Sequence, residues 1–246
     1  SVRFDATMRG FGFVCRDGED DIFIPPDDTK GAMDGDTVLV RKAHPKSNEK
    51  RPEGKIIKII THAHETLVGT YHNQRNFGFV AVDDTKITDD IFISKSHNAN
   101  AKDGQKVVVK ITKWRDGDKK CEGEIIEILG NAYDSGIDVL CVLRKYGISQ
   151  EFPQVVIDEA RSLIPGITGD EIARREDFRT KTVITIDGTD AKDLDDAVCA
   201  ERIDGGYELS VHIADVTHYV RENSPIDAEA FRRGTSVYFT DRVVPM

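Results

Sequence analysis

A repeat constrains this chain more than any other feature of its sequence. Phe11-Gly12-Phe13-Val14 recurs as Phe77-Gly78-Phe79-Val80, and Asp21-Ile22-Phe23-Ile24 as Asp90-Ile91-Phe92-Ile93. Gly35-Asp36-Thr37-Val38-Leu39-Val40 recurs as Gly104-Gln105-Lys106-Val107-Val108-Val109, and Glu53-Gly54-Lys55-Ile56-Ile57 as Glu122-Gly123-Glu124-Ile125-Ile126. The offset is 66 in the first block and 69 in the other three, so one three-residue insertion after Val80 relates the copies. Residues 1–63 and 64–131 are expected to be two copies of one small domain, followed by a different region over 132–246.

Within a copy, short β-rich runs alternate with turn residues. In the first these are Ser1–Thr7, Phe11–Cys15, Ile22–Ile24, Thr37–Val40 and Lys55–Ile60, with no convincing helix. Five short strands in a domain of this size predict a small closed barrel of the oligonucleotide-binding (OB) type. Phe11 and Phe13 are two apart on one strand, so they share a face, Gly12 leaves that face clear, and Phe23 on the next strand sits beside them. Phe77, Phe79 and Phe92 repeat the arrangement. Any one of these rings could fill a barrel core. The grouped pattern, seen twice, predicts a platform for stacking bases, worth ~1–3 kcal/mol per base. Arg41, Lys42, Lys46, Lys50, Arg51 and Lys55 are expected on the basic connection between the fourth and fifth strands, where the backbone of a nucleic acid would run. In the second copy Lys110, Lys113, Arg115, Lys119 and Lys120 surround Trp114; a solvated loop would be equally charged.

Charge separates along the same boundaries. The chain holds 34 basic and 44 acidic residues, a net of −10, which by itself would discourage a polyanionic partner. Residues 1–65 contribute −1, residues 66–132 contribute 0, and residues 133–246 contribute −9. Cys15, Cys121, Cys141 and Cys199 form no C-x-x-C pair, which predicts neither a zinc site nor a disulfide framework and fits a reducing, cytoplasmic compartment. No apolar window is long enough for a membrane span.

The acidic region has its own motif. Phe152-Pro153 is expected to open a helix that Pro165 ends, and Thr168 to Glu171 fits a capping box for another. Val183 to Ile186 then reads as a strand leading into five aspartates in ten residues: Asp187, Asp190, Asp193, Asp195 and Asp196. Ala197–Ile203 and Tyr207–Ala214 read as a hairpin around Asp204-Gly205-Gly206. The aspartates therefore fall on a loop between strands, where their side chains can converge. Converging carboxylates repel one another, and a divalent cation removes that penalty. Oxygen ligands without His or Cys point to Mg²⁺ or Mn²⁺. An EF-hand is excluded, because the sixth loop position is not Gly and Val198 occupies the twelfth.

Two resemblances follow from these residues. Arg9-Gly10-Phe11-Gly12-Phe13-Val14 fits most of the RNP1 pattern that RRM domains share. In an RRM the second motif comes first, with a helix between; here Ile22-Phe23-Ile24 follows after only a turn. Each copy thus resembles a cold-shock domain, the second less closely because Asn76 replaces Gly10. The pattern Asp187 to Ala197, followed by His212-Ile213-Ala214-Asp215-Val216, resembles the RNB catalytic domain of the ribonuclease II and ribonuclease R family. Arg233 to Tyr238 and Val243 to Met246 match further stretches.

The resemblance implies a mainly β fold: two tandem OB-type barrels, then a truncated α+β RNB domain. It implies processive 3′→5′ hydrolysis of single-stranded RNA to nucleoside 5′-monophosphates, with no membrane and no obligate protein partner. Asp187, Asp193 and Asp196 would help bind the metal, Asp195 would be the carboxylate whose loss most damages catalysis, and Tyr238 would stack near the 3′-terminal base. His212 and Asp215 are expected to be structural. The family's RNB domain continues beyond the point where this sequence stops, which implies a piece of a longer enzyme. As it stands, the alternative is a single-strand RNA-binding module without catalysis; a scaffold role for the barrels would leave RNA affinity indifferent to Phe11, Phe13 and Phe23.

Overall fold

The computed structural model describes residues 1–15, 18, 20–43, 52–117, 119–163, 166–189, 191 and 193–246. Lys46, Lys50, Arg51, Pro165 and Asp190 lie outside the described residues. Contacts gather into two units, Ser1–Ser149 and Gln150–Met246.

The first unit contains both copies. In the first copy β1 (Val2–Ala6), β2 (Gly12–Val14), β3 (Ile22–Ile24), β4 (Thr37–Lys42) and β5 (Gly54–Thr61) form one sheet in the order β3-β2-β1-β4-β5. Strand alternation sends Phe4, Val14, Ile22, Ile24, Val38 and Ile56 into a common core. The expected closed barrel is nearly reached. Among the described residues β3 meets the segment just before β5 through one parallel bridge, Phe23–Glu53, beside the Phe23 N–H to Pro52 carbonyl bond of 2.9 Å. A three-residue β3 offers too little backbone for a longer ladder.

The second copy closes fully. Its strands β6 (Thr66–Asn73), β7 (Phe77–Val82), β8 (Ile91–Ser94), β9 (Gln105–Lys113) and β10 (Glu122–Asn131) run β10-β8-β7-β6-β9 around the barrel. Its core is built on Tyr71, Val80, Ile91, Ile93, Val107 and Val109, and it includes Met33 from the first copy. Helix α1 (Ile137–Lys145) lays Leu140 and Cys141 on Val68, Val108 and Leu129 of this barrel.

A polar joint links the copies. Asp36 is fully buried and accepts from the Met33 N–H (3.0 Å), the Ala63 N–H (2.8 Å) and His62 Nδ1 (3.1 Å). These bonds compensate the burial of a carboxylate. The His62 ring lies flat on Trp114, with centroids 3.4 Å apart, and Lys86 reaches across to Asp34 at 3.1 Å.

The second unit starts with α2 (Gln154–Ser162) and α3 (Gly169–Arg174). Thr168 caps α3 by accepting from the Glu171 N–H at 3.3 Å. The reciprocal half of the capping box is missing, because the Glu171 carboxylate bonds Arg174 and Arg175 instead. The expected strand over 183–186 reduces to a single bridge, Ile184 with Val198. The hairpin forms as expected, from β11 (Asp196–Ile203) and β12 (Gly206–Ile213) in register from Asp196↔Ile213 to Ile203↔Gly206. Its polarity is inverted: Tyr207, Leu209, Val211 and Ile213 on one face are all exposed, while Ser210 and His212 on the other are half-buried.

Helix α4 (Pro225–Arg233) was not anticipated, although it has a Ser224 cap, Pro225 in the first turn and a left-handed Gly234 after its end. It docks on α2 through the Ile226 N–H to the Glu159 carboxylate, 2.7 Å. The short pair β13 (Val237–Tyr238) and β14 (Val243–Val244) completes the unit. Among the described residues no helix is long and apolar enough to cross a membrane.

Candidate nucleic-acid interface and acidic loop

The phenylalanines do not fill the cores. Gly12↔Ile24, Phe13↔Phe23 and Val14↔Ile22 are paired, and the flanking residues point inward, so Phe13 and Phe23 point outward together. Phe11 joins them, with ring centroids 5.4 Å from Phe23 and 5.8 Å from Phe13. Gly12 has a different job from the one its place suggested. It is buried, and a Cβ there would lie 2.4 Å from the Phe4 ring, so the glycine makes room inside the sheet, not on its face. Gly78 does the same against Tyr71, at 2.3 Å.

In the second barrel Phe77 stacks with Phe92 at 5.5 Å and 26°. Phe79 stacks with His72 at 5.0 Å and 28°. The sequence reading missed His72. Its signal was available: Tyr71 belongs inside the barrel, so its strand neighbour must face out, beside whatever the next strand presents.

The basic residues divide. Arg41 and Lys42 are exposed but lie on β4, paired with Lys55 and Gly54, not on a loop. Trp114 and Arg115 serve the joint: Trp114 covers His62, and Arg115 holds Asp89 at 2.7 Å while its methylenes pass over Gly31. Lys113 is held by Glu122 at 2.7 Å.

The acidic loop is tied at its root. Ile184 and Val198 exchange both backbone bonds, 3.0 and 2.8 Å, and the Ala214 N–H binds the Asp195 carbonyl at 2.7 Å. Asp195 and Asp196 are thus anchored at the base of the hairpin, while Asp187 and Asp193 sit on irregular backbone closed by the same bridge. All four carboxylates are exposed. Among the described residues, no three His, Cys, Asp or Glu side chains come together to hold a metal ion. Exposed like charges with nothing between them gain by standing apart. The donor set is nevertheless all hard oxygen on one closed loop, the ligand chemistry that Mg²⁺ and Mn²⁺ take.

Around the loop, Asp215 binds Arg175 and, at 2.8 Å, the Thr217 hydroxyl, and His212 packs edge-on to Phe178 at 4.7 Å. Arg174 and Arg175 hold the Glu171 carboxyl down to about 2, chiefly by the hydrogen bonds from Arg174. Tyr238 is exposed on β13, opposite Val243. All four cysteines are free.

With these features in place the chain can be set beside known proteins. Residues 3–59 match the ribonuclease B OB domain, residues 79–153 the cold shock domain and residues 175–246 the RNB domain. Ribonuclease R of Thermotoga maritima is 39% identical over 98% of this chain and 34% of its own length. Nearly the whole chain is thus similar to part of ribonuclease R, and its last stretch matches the RNB domain. Ribonuclease R 1 of Lactococcus lactis is 42% identical over 99% of the chain and 31% of that protein. Among solved structures, Mycoplasma genitalium RNase R in complex with ribose methylated single-stranded RNA superposes with a TM-score of 0.88 at 25% identity, covering 99% of this chain and 39% of that one. The chain therefore spans about a third of the length of these ribonuclease R relatives.

Proposed function

We propose that this chain is the RNA-gripping and acidic-loop part of a Mg²⁺-dependent exoribonuclease that degrades single-stranded RNA 3′→5′ to nucleoside 5′-monophosphates in the cytoplasm. The observation that carries the reading is a pair of outward aromatic platforms on one chain with an aspartate-rich loop closed by the Ile184–Val198 pair. Phe11, Phe13, Phe23, Phe77, Phe79 and Phe92 would stack bases, and Arg41 and Lys42 would meet phosphates. Tyr238 would stack near the 3′-terminal base.

Asp187, Asp193 and Asp196 would hold a Mg²⁺ or Mn²⁺ ion, directly or through water. Bound there, the ion would supply an activated water and offset charge on the phosphate. Asp195, fixed through its carbonyl by Ala214, would orient the attacking water and take up its proton. Asp195→Asn, in a protein with the full length of its relatives, should abolish hydrolysis of labelled oligo-RNA and leave its binding intact. Unchanged turnover would refute the assignment.

A second reading is that the 246 residues alone bind RNA without cutting it. What favours it is that the chain spans only about a third of its ribonuclease R relatives. A fluorescence titration with oligo-RNA beside a digestion with Mg²⁺ separates the two. Binding should weaken as salt rises, because phosphate contacts release counterions.

A further inference from the structure

The two platforms carry the same three phenylalanines, yet their surroundings differ in charge. In the second barrel His72 pairs with Phe79 across the ladder and stacks on it. Asn73, the next residue, holds Lys95 Nζ on its side-chain oxygen at 3.1 Å. Lys95 directly follows Ser94, the register partner of Phe77, so a cation stands beside the rings.

The first barrel answers each of these with something less suited to a polyanion. Asp5 pairs with Phe13 as His72 pairs with Phe79, so a carboxylate replaces an aromatic ring at the same place. Its partner Arg3 lies 3.5 Å away and is largely exposed. The Cys15 thiol, 3.7 Å from Asp5, is pushed up to about 11, first by its hydrogen bond to Asp21, in keeping with a negative local potential. Pro26 stands where the repeat offset places Lys95. The rest of the frame is shared: Arg9 and Arg75 precede the second strand of each copy, Asp21 and Asp90 precede the third, and Asp34 and Asp103 accept from the Ala6 and Asn73 N–H groups at 2.8 Å, which leaves Asp103 4.0 Å from His72 Nδ1.

A stacked base brings its phosphate with it, so a neighbouring carboxylate repels what Lys95 would attract. We propose that the barrels are unequal: the second holds the strand on a four-ring floor of Phe77, Phe79, Phe92 and His72 with Lys95 alongside, and Asp5 keeps the first a weaker site. This rests on the RNA-binding reading above. It also reverses the ranking implied by sequence, where the second copy is the poorer match to the aromatic motif.

The test is fluorescence anisotropy of the 246-residue chain with a fluorescein-labelled ten-nucleotide oligouridylate. Phe79→Ala and His72→Ala should each weaken binding about fivefold or more, the loss of one stacked base. Phe13→Ala should cost about threefold less than Phe79→Ala, and His72→Phe should keep most of the affinity because a ring remains. Asp5→His should tighten binding, a gain that misfolding cannot imitate. Equal losses from Phe13→Ala and Phe79→Ala, or no gain from Asp5→His, would overturn the inequality while leaving RNA binding in place. Failure of the unaltered chain to bind would overturn the RNA reading as well.

Discussion

Gly78 offers the sharpest test of the packing. Building a Cβ there puts it 2.3 Å from Tyr71 Cε2, 2.4 Å from its hydroxyl and 2.6 Å from Cζ. Carbon atoms prefer about 3.5 Å, so the ring would have to retreat by roughly 1.2 Å. Tyr71 is fully buried in a closed barrel, which has no edge to open. Overpacking of this kind costs about 1–3 kcal/mol, and the upper half of that range fits a clash with three atoms of one rigid ring. Replacing a strand glycine returns about 0.5–1 kcal/mol. The expected net loss for Gly78→Ala is therefore about 1–2.5 kcal/mol, or roughly 2–10 °C in Tm.

Trp114 is the sole tryptophan and packs against this barrel's core, so its fluorescence follows unfolding in urea or heat. In a Tyr71→Leu background the clashing atoms are gone, and Gly78→Ala should cost less than half as much, a coupling of about 1 kcal/mol. An unchanged midpoint for Gly78→Ala, or the same cost in both backgrounds, would refute the argument that this glycine exists to admit Tyr71.

Two more outcomes are expected. Arg232 and Arg233 hold the Glu229 carboxyl down to about 2, Arg232 first, so this group adds stability above the ordinary carboxylate range and loses it as pH falls from about 4.5 toward 2. Glu229→Gln should lower Tm at pH 7 and flatten the fall in Tm between pH 5 and 3 (about one carboxylate's share of the acid limb); an unaltered acid limb in differential scanning calorimetry would contradict it. The exposed hairpin face should bind anilinonaphthalene sulfonate in the isolated chain, and Leu209→Lys with Val211→Lys should lower that fluorescence without lowering Tm; equal dye binding by the variant would place the apolar surface elsewhere.

How much of this was legible follows from which forces are local. The repeat blocks became strands because alternation in Phe11–Val14 and Ile22–Ile24 is a local signal, and register then carried Phe13 to Phe23 without further information. The hairpin at Asp204-Gly205 was legible for the same reason. Helix α4 was missed although Ser224, Pro225 and Gly234 mark it, since its apolar stripe is thin and Phe231 points to solvent. His72 escaped because its meaning depends on a partner strand, and the stacking of Trp114 on His62 was not foreseen because no local pattern announces a partner in another copy. Pattern placed the aspartates of the acidic loop; whether carboxylates meet is decided by charge balance across the whole loop, which spacing does not contain.

Met33 shows that the repeating unit and the folding unit are different things. Its side chain, encoded in the first copy, is a wall stone of the second barrel's interior. Excising the second copy alone would open a hole where that side chain sat, at a cost on the order of 2–5 kcal/mol, as for a large core residue cut to alanine. A loss of that size is a large part of what holds a small domain together. Cooperativity thus crosses the duplication boundary, and a durable dissection of this protein would cut near residue 149 and keep the twin barrels as one piece.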